Sequence, residues 1–480
     1  MHADELESFL KGEMVGEYFG STKDDSINPN KFYPSNLSKD IRRAFKIITM
    51  RDNQDIYVYN KEKGYYERHG SQLLREITKK VLGDFYKEDY ARATIYDITA
   101  STGENREDLE PELHLIPLKN GLLNILRDNP ILTQHSPATF FTSTLPVDYN
   151  EKAKPKAFLE FLNQIQPDGV AQQQIQELFG YSLWRKYPYQ VAFLLIGSGS
   201  NGRSTLLAVL EAILGKENIS SETLQNLCHN RFSTAELYHK FVNICGDIPS
   251  KKIEDAGAFK MLTGGDLISA QRKHKNPFNF INYAKLTFLA NKVPYSYDDS
   301  DAYYRRWILI FFPVRFGIEL GDSPADKQIL EKLTTPEELS GILNWSLEGL
   351  RRLNKQKGFT KRLTIKETRE YMERLVSPLS AFIQDKIRIT YKEEDFIQKE
   401  EFHKAFVDYC KKKKIIALTK ENVGRLMKYV EKNIKTRQRK IGEDYAYVWT
   451  GCDFKLTKEE KESREKEMID EIFEETNKKS

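Results

Sequence analysis

Val191-Ala-Phe-Leu-Leu-Ile-Gly-Ser-Gly-Ser-Asn-Gly-Arg-Ser-Thr205 runs an unbroken apolar segment straight into a glycine-rich loop and then into a helix start. The apolar segment has the length and composition of a strand buried on both faces. Gly197, four intervening residues, Gly202 and then Arg203-Ser204 match the spacing of a phosphate-binding loop at every position but one. At that position arginine stands where lysine is expected. Glycines at 197, 199 and 202 free the backbone to turn successive N–H groups toward phosphate oxygens, and a helix opening near Ser204 adds its positive end. The segment Gly197, Ser198, Gly199, Ser200, Asn201, Gly202, Arg203, Ser204 and Thr205 is therefore the expected nucleotide cradle. Ser204 is placed to offer a hydroxyl to Mg2+ bridging the outer phosphates. Arg203 keeps the positive charge but spreads it over a planar fork, so nucleotide binding is expected to survive while hydrolysis weakens.

The chain has 480 residues, room for about two to four domains, and its 40% hydrophobic content is that of a globular protein. Basic and acidic residues number 74 and 70, a net charge of +4, so overall charge says little about nucleic acid. No apolar run reaches membrane length and the start, Met-His-Ala-Asp-Glu-Leu-Glu, is polar and acidic, so a cytoplasmic protein with no membrane partner is expected. Cys228, Cys245, Cys410 and Cys452 form no Cys-x-x-Cys pair, which argues against a zinc ribbon or a disulfide framework. No internal repeat is visible.

Around the opening stretch, strands alternate with helices. Leu206 to Leu214 reads as an apolar helix, and Phe241 to Gly246, Ala284 to Ala290 and Trp307 to Phe312 as buried strands. That alternation predicts a multidomain α/β protein whose central sheet is covered on both faces. The expected organisation is a mixed α+β domain over 1–165, the nucleotide-binding core over 166–320 and a helical connector over 321–375. A small domain follows over 376–453, then a charged tail over 454–480. Leu115 to Ile125 reads as a hairpin turning at Asn120-Gly121.

In open α/β sheets ligands gather at the carboxyl ends of the strands, so polar residues just past the buried strands are the ones to weigh. Asp247 closes one strand and suits the magnesium side of a nucleotide; by itself it would be an ordinary turn residue. Asn291 closes another and is placed to hydrogen-bond an attacking water or the terminal phosphate. Glu254 and Asp255 are either further acids or the start of a helix. Arg305 and Arg306 precede the last strand, one suited to reach a neighbour's nucleotide in trans and the other to pair inside its own subunit. Arg272, Lys273, His274 and Lys275 end at the turn Asn276-Pro277, a basic tip that either grips a phosphodiester backbone or is simply solvated.

The ordered set Gly-x-Gly-x-Asn-Gly-Arg-Ser-Thr205, Asn243-Ile-Cys-Gly-Asp247, Lys260-x-Leu-Thr-Gly-Gly-Asp266, Leu289-Ala-Asn291 and Arg305-Arg306 resembles the superfamily 3 helicases. Within them it is most similar to the phage, plasmid and poxvirus primase-helicase group. The resemblance implies an AAA+-like P-loop ATPase core, preceded by that group's N-terminal domain and followed by a winged-helix domain over 376–453. It implies ATP and Mg2+ as cofactors, Asp247 as the magnesium-side acid, Asn291 as the sensor and Arg305 or Arg306 as the finger. Lys273, His274 and Lys275 fall on the family's DNA-contacting hairpin. The implied protein is a hexameric, 3′ to 5′ replicative helicase acting on single-stranded and forked DNA, served by a separate primase or polymerase, since the first 165 residues carry no paired-carboxylate primase signature. The competing function is a DNA-binding initiator or loading factor that uses the nucleotide to hold a ring together, with Arg203 slowing turnover.

Overall fold

A computed structural model describes residues 15–455, except 110–111, 128, 198, 247–252, 254, 275, 291–295, 297, 318–325, 327, 377, 414, 416, 432 and 443. The described chain divides into two compact units, the first running through Ile365 and the second from Lys366.

The quoted apolar run forms strand β1 (Ala192–Gly197), buried at every residue. With it run β2 (Ile219–Ser220), β3 (Val242–Cys245), β4 (Lys285–Ala290) and β5 (Trp307–Phe312). All are parallel, in the order β2-β3-β4-β1-β5. Strands rich in Ile, Leu and Phe suit a sheet with no solvent face, and the residues of β1, β3 and β4 are all buried, including the polar Asn243, Lys285 and Thr287. β1 lies between two strands that come later in the chain, so the crevice at its carboxyl end is the switch point of the sheet. Helix α1 (Arg203–Leu214) leaves that crevice and buries Leu206, Leu207, Leu210 and Ile213 against the sheet's core.

A single hydrophobic cluster runs from Ile116 to Phe359, joining the sheet to helices Lys156–Ile165, Gly169–Leu183 and Pro336–Gln356. Two of these helices are clamped by a charge. Glu177 is wholly buried and accepts from Arg352 Nε at 2.8 Å, Gln356 Nε2 at 2.9 Å and the Thr360 amide at 2.9 Å. A carboxylate is tolerated at such depth only when its lone pairs are filled in this way.

Ahead of the sheet, strands Ile47–Met50, Ile56–Asn60, Tyr65–Arg68 and Gly103–Glu104 make a four-stranded sheet with its own core around Leu37, Ile41, Val58 and Leu74. The expected hairpin forms from Leu115–Leu118 and Gly121–Asn124, with Leu118 opposite Gly121. Its turn falls on Lys119-Asn120, one residue earlier than Asn-Gly spacing implies, and a third strand, Ile131–Thr133, adds to it.

In the second unit, helices Lys399–Lys412 and Lys420–Val430 accompany a three-stranded antiparallel sheet. Its long hairpin pairs Lys435–Ile441 with Asp444–Thr450 and turns through Gly442 at φ +66°. Phe382 packs on Phe402, Phe406 and Tyr409, and Trp449 closes over Phe402. The second of these helices ends at Val430. Residues past 455, including most of the expected charged tail, lie outside the described residues, as does the acidic start.

Candidate functional site

The loop after β1 turns through backbone open mainly to glycine: Gly199 sits at φ +92° and Gly202 at +79°, with Ser200 at +45° between them. Packing adds a second requirement. A Cβ on Gly197 would lie 1.8 Å from Asn201 Nδ2, and one on Gly202 would lie 2.4 Å from Ile165 Cγ2. The loop is held from outside by the Phe316 amide, which donates to Ser200 O at 2.8 Å. Asn201 is buried, and its Nδ2 has no hydrogen-bond partner among the described residues. Gly202, at the cap of α1, supplies no side chain to the free N–H groups of the first turn. An unpartnered amide donor beside an uncapped helix start is what an anion requires, so these residues fit a phosphate group. Ser204 is exposed at that first turn and Thr205 half-buried, so the Ser204 hydroxyl is free to face a phosphate-bound cation.

Arg203 does something its sequence position does not reveal. The side chain is buried and folds back under the loop, donating from Nη1 to Leu195 O at 2.9 Å and Ala290 O at 2.8 Å, and from Nε to Asn201 Oδ1 at 2.9 Å. It ties the carboxyl ends of β1 and β4 together. A planar fork reaches two strands at once, which a single ammonium does less well.

Asp247, Asn291, Ser198 and Lys275 lie outside the described residues. So does Glu254, while Asp255 accepts from the Gly257 amide at 2.7 Å at the entrance to helix Gly257–Gly264 and so opens that helix.

The two arginines are placed very differently. Arg306 is buried, donating from Nε to Thr263 Oγ1 at 2.9 Å, from Nη2 to Lys260 O at 3.3 Å and also to Ala302 O. It knits helix Gly257–Gly264 to the start of β5. Arg305 is exposed and donates to Gln190 Oε1 at 3.0 Å. Both sit at the amino end of the sheet, because Ala192 pairs with Trp307 and Gly197 with Phe312. Strand β1 has 6 residues, which puts about 20 Å between them and the phosphate loop. Neither arginine reaches its own chain's loop.

The basic turn is carried on an antiparallel hairpin, Leu267–Ala270 with Phe278–Ile281, at the same amino end. Alternation buries Ile268, Ala270, Phe278 and Phe280 and leaves Leu267, Ser269, Asn279 and Ile281 outward. Lys273 and His274 are exposed at its tip, with His274 at φ +61°. Arg272 folds instead back onto the hairpin, 5.1 Å from the Phe278 ring in the pair next to the turn.

Sequence reasoning missed the residues beneath this hairpin. Arg106, from the region ahead of the sheet, holds Asp52 with two bonds of 2.7 and 2.9 Å and lies over the rings of Tyr238 and Phe278 at 4.8 and 5.1 Å. His239 stacks on Tyr238 at 3.8 Å. Burial, then the charges of Arg106 and Arg185, hold its imidazole well below the usual histidine range. Arg185 is buried 4.2 Å from the Phe141 ring. The one available signal was the basic pair Arg185-Lys186 set among Leu183, Trp184 and Tyr187. Among the described residues, no group of three or more His, Cys, Asp or Glu side chains is placed to hold a metal, and no helix is long and apolar enough to cross a membrane.

Residues 40–167 match a family model described as D5 N terminal like, and residues 195–306 match a family of unknown function, DUF5906. The chain is 27% identical over 234 residues to a protein of Acanthamoeba polyphaga mimivirus named "Putative helicase L207/L206". That match takes in 45% of this chain and 24% of the relative, so the chain spans about a quarter of the viral protein. Among solved structures, the apo C-terminal region of NrS-1, residues 305–718, aligns over 87% of this chain and 99% of its own, at a TM-score of 0.46 and 11% identity. A second apo form of the NrS-1 C-terminal region aligns at a TM-score of 0.40 and 9% identity, over 89% of this chain and 100% of its own. Superposition at that level says nothing about activity.

Proposed function

This chain is a relative of the phage and viral primase-helicases, and on that premise we propose that it is an ATP-dependent, ring-forming replicative DNA helicase of a mobile element. It moves 3′ to 5′ along single-stranded DNA, six subunits closing the ring. The observation that carries this reading is the polarity of the sheet: the anion-fitting loop lies at one end, while exposed Arg305 and the basic hairpin lie at the other. That polarity supports a nucleotide site to which a neighbouring chain contributes its arginine.

In this reading the loop amides, Asn201 Nδ2 and the first turn of α1 hold the phosphates of ATP, and the Ser204 hydroxyl holds Mg2+. ATP supplies the free energy of a phosphoanhydride. Arg305 extends to the neighbouring subunit and stabilises negative charge there, the role in which such arginines are worth about 10³ or more in rate. Lys273 and His274, with Lys275, track the phosphodiester backbone without reading sequence. Asp247 and Asn291 serve as magnesium-side acid and sensor. The second unit acts as a winged-helix domain, its helix Lys420–Val430 and its long hairpin available to duplex DNA or to a protein partner such as a primase.

A second reading is favoured by one observation, the engagement of Arg203 with strand carbonyls on the sheet side of the loop. A cation committed there leaves the phosphates less well served, as in an initiator or loading factor that binds nucleotide and turns it over slowly. A strand-displacement assay on a 3′-tailed duplex separates the two. The helicase unwinds with ATP and not with a non-hydrolysable analogue; DNA binding without displacement in either condition overturns the helicase reading.

A further inference from the structure

Between the hairpin base, the region ahead of the sheet and the segment leading into β1 lies a cavity of about 700 Å³. Its volume falls within the range of small-molecule sites. It lies at the amino end of the sheet, away from the phosphate loop.

Its walls combine two chemistries. Tyr187, Tyr238, Phe278 and Phe280 supply ring surface, and Arg106, Arg185 and Lys186 supply positive charge. Among the described residues Asp52 is the only carboxylate in the lining, and Arg106 already holds it with both oxygens. Arg185 has no such counterion among the described residues. Its Nη2 donates to Leu115 O at 3.0 Å, but its Nε is buried and has no hydrogen-bond partner among the described residues. A guanidinium that is 5% exposed and only partly satisfied is costly unless something else completes it. His239, in the same wall, has its imidazole pushed well below the usual histidine range, first by burial and then by the charges of Arg106 and Arg185.

We propose that this cavity is a second ligand site, which takes a nucleotide unit with its base against the Phe280 side of the aromatic wall, where no cation covers the ring among the described residues, and its phosphate toward Arg185 and Lys186. An aromatic wall favours a planar base, with stacking worth about 1–3 kcal/mol, and a guanidinium with no counterion among the described residues favours a phosphate group. The same chemistry is offered by a free nucleotide and by one residue of a single strand passing the hairpin. The site goes beyond the helicase reading, since a free nucleotide there needs no DNA.

The test uses the full chain saturated with a non-hydrolysable ATP analogue, which keeps the phosphate loop out of the measurement. One probe is 5-iodo-2′-deoxyuridine 5′-monophosphate, and the other is an oligothymidylate carrying one 5-iodouracil. Irradiation followed by mass spectrometry is expected to place crosslinks on Tyr238, Phe278 or Phe280. Labelling by the mononucleotide assigns a free ligand, and labelling by the oligonucleotide alone assigns a strand residue. Arg185→Lys and Lys186→Ala are each expected to weaken binding of the labelling probe by about tenfold or more. No crosslink in the cavity with either probe overturns the proposal, as does unchanged affinity in both variants. If Arg185→Lys does not fold, Lys186→Ala and the crosslink map decide. Failure of helicase activity leaves the crosslink result standing, so the two readings fall separately.

Discussion

Arg203 Nη1 donates to the carbonyl of Ala290, 2.8 Å away on the neighbouring strand, and so joins the phosphate loop to the residue just before Asn291. The same nitrogen holds Leu195 O. The cation of the loop is thus a structural tie across the switch point of the sheet.

Removing that tie has a cost that can be measured apart from activity. Arg203→Met is expected to lose about 2–4 kcal/mol of stability by urea denaturation, because buried carbonyls lose a charged donor. Arg203→Lys, which keeps the charge but not the fork, should lose roughly half as much. It should also hydrolyse ATP faster than the parent, since a lysine left unfixed to the strands is available to phosphate. Slower hydrolysis in Arg203→Lys would show that the guanidinium leaves its carbonyls during turnover.

The two adjacent arginines should separate cleanly. Arg306→Ala is expected to destabilise the fold by about 2–4 kcal/mol, because its guanidinium is buried and joins Thr263 and Lys260 to Ala302. Arg305→Ala should fold like the parent and lose about 10³ in ATP hydrolysis. Mixed with Arg203→Ala subunits, it should regain part of that rate, because one sound interface forms from two defective chains. Absence of any regain argues against a shared site.

At the hairpin, Lys273→Ala should leave hydrolysis without DNA unchanged and reduce its stimulation by single strands. The slope of log affinity against log salt should shrink by about 0.7, the loss of one phosphate contact on a single strand. An unchanged slope places the DNA elsewhere.

His239 gives the fold a pH dependence whose direction is fixed by its surroundings. Burial and neighbouring arginines depress its pKa in the folded chain, so below about pH 6.5 the unfolded chain takes up a proton that the folded chain refuses. Its contribution is therefore fully present above that pH and is lost as pH falls toward the depressed folded value. Denaturation midpoints between pH 7 and 5 should fall more steeply for the parent than for His239→Gln. Parallel curves would mean that His239 titrates freely in the folded chain.

The sheet was legible because a strand buried on both faces leaves a largely apolar run, uninterrupted in β1 and β5 and broken in β3 and β4 only by the buried Asn243, Lys285 and Thr287. The loop was legible because its glycines answer to backbone geometry, a local property. The basic hairpin was legible from the turn at Asn276-Pro277 between apolar segments. Arg185 and Arg106 were not. Their meaning rests on which rings and carbonyls surround them, and those come from residues as distant as Leu115, Phe141, Tyr238 and Phe278.

By itself the amino-acid sequence determined the alternating α/β pattern, the glycine loop after β1, the basic tip and the likeness to the primase-helicases, because spacing and composition act along the chain. Tertiary structure decided which way the cations point. Arg203 turns into the sheet, Arg306 is buried while Arg305 is exposed, and Arg185 lines a cavity with no counterion among the described residues. A long charged side chain can satisfy itself in several directions, and only the packing around it selects one.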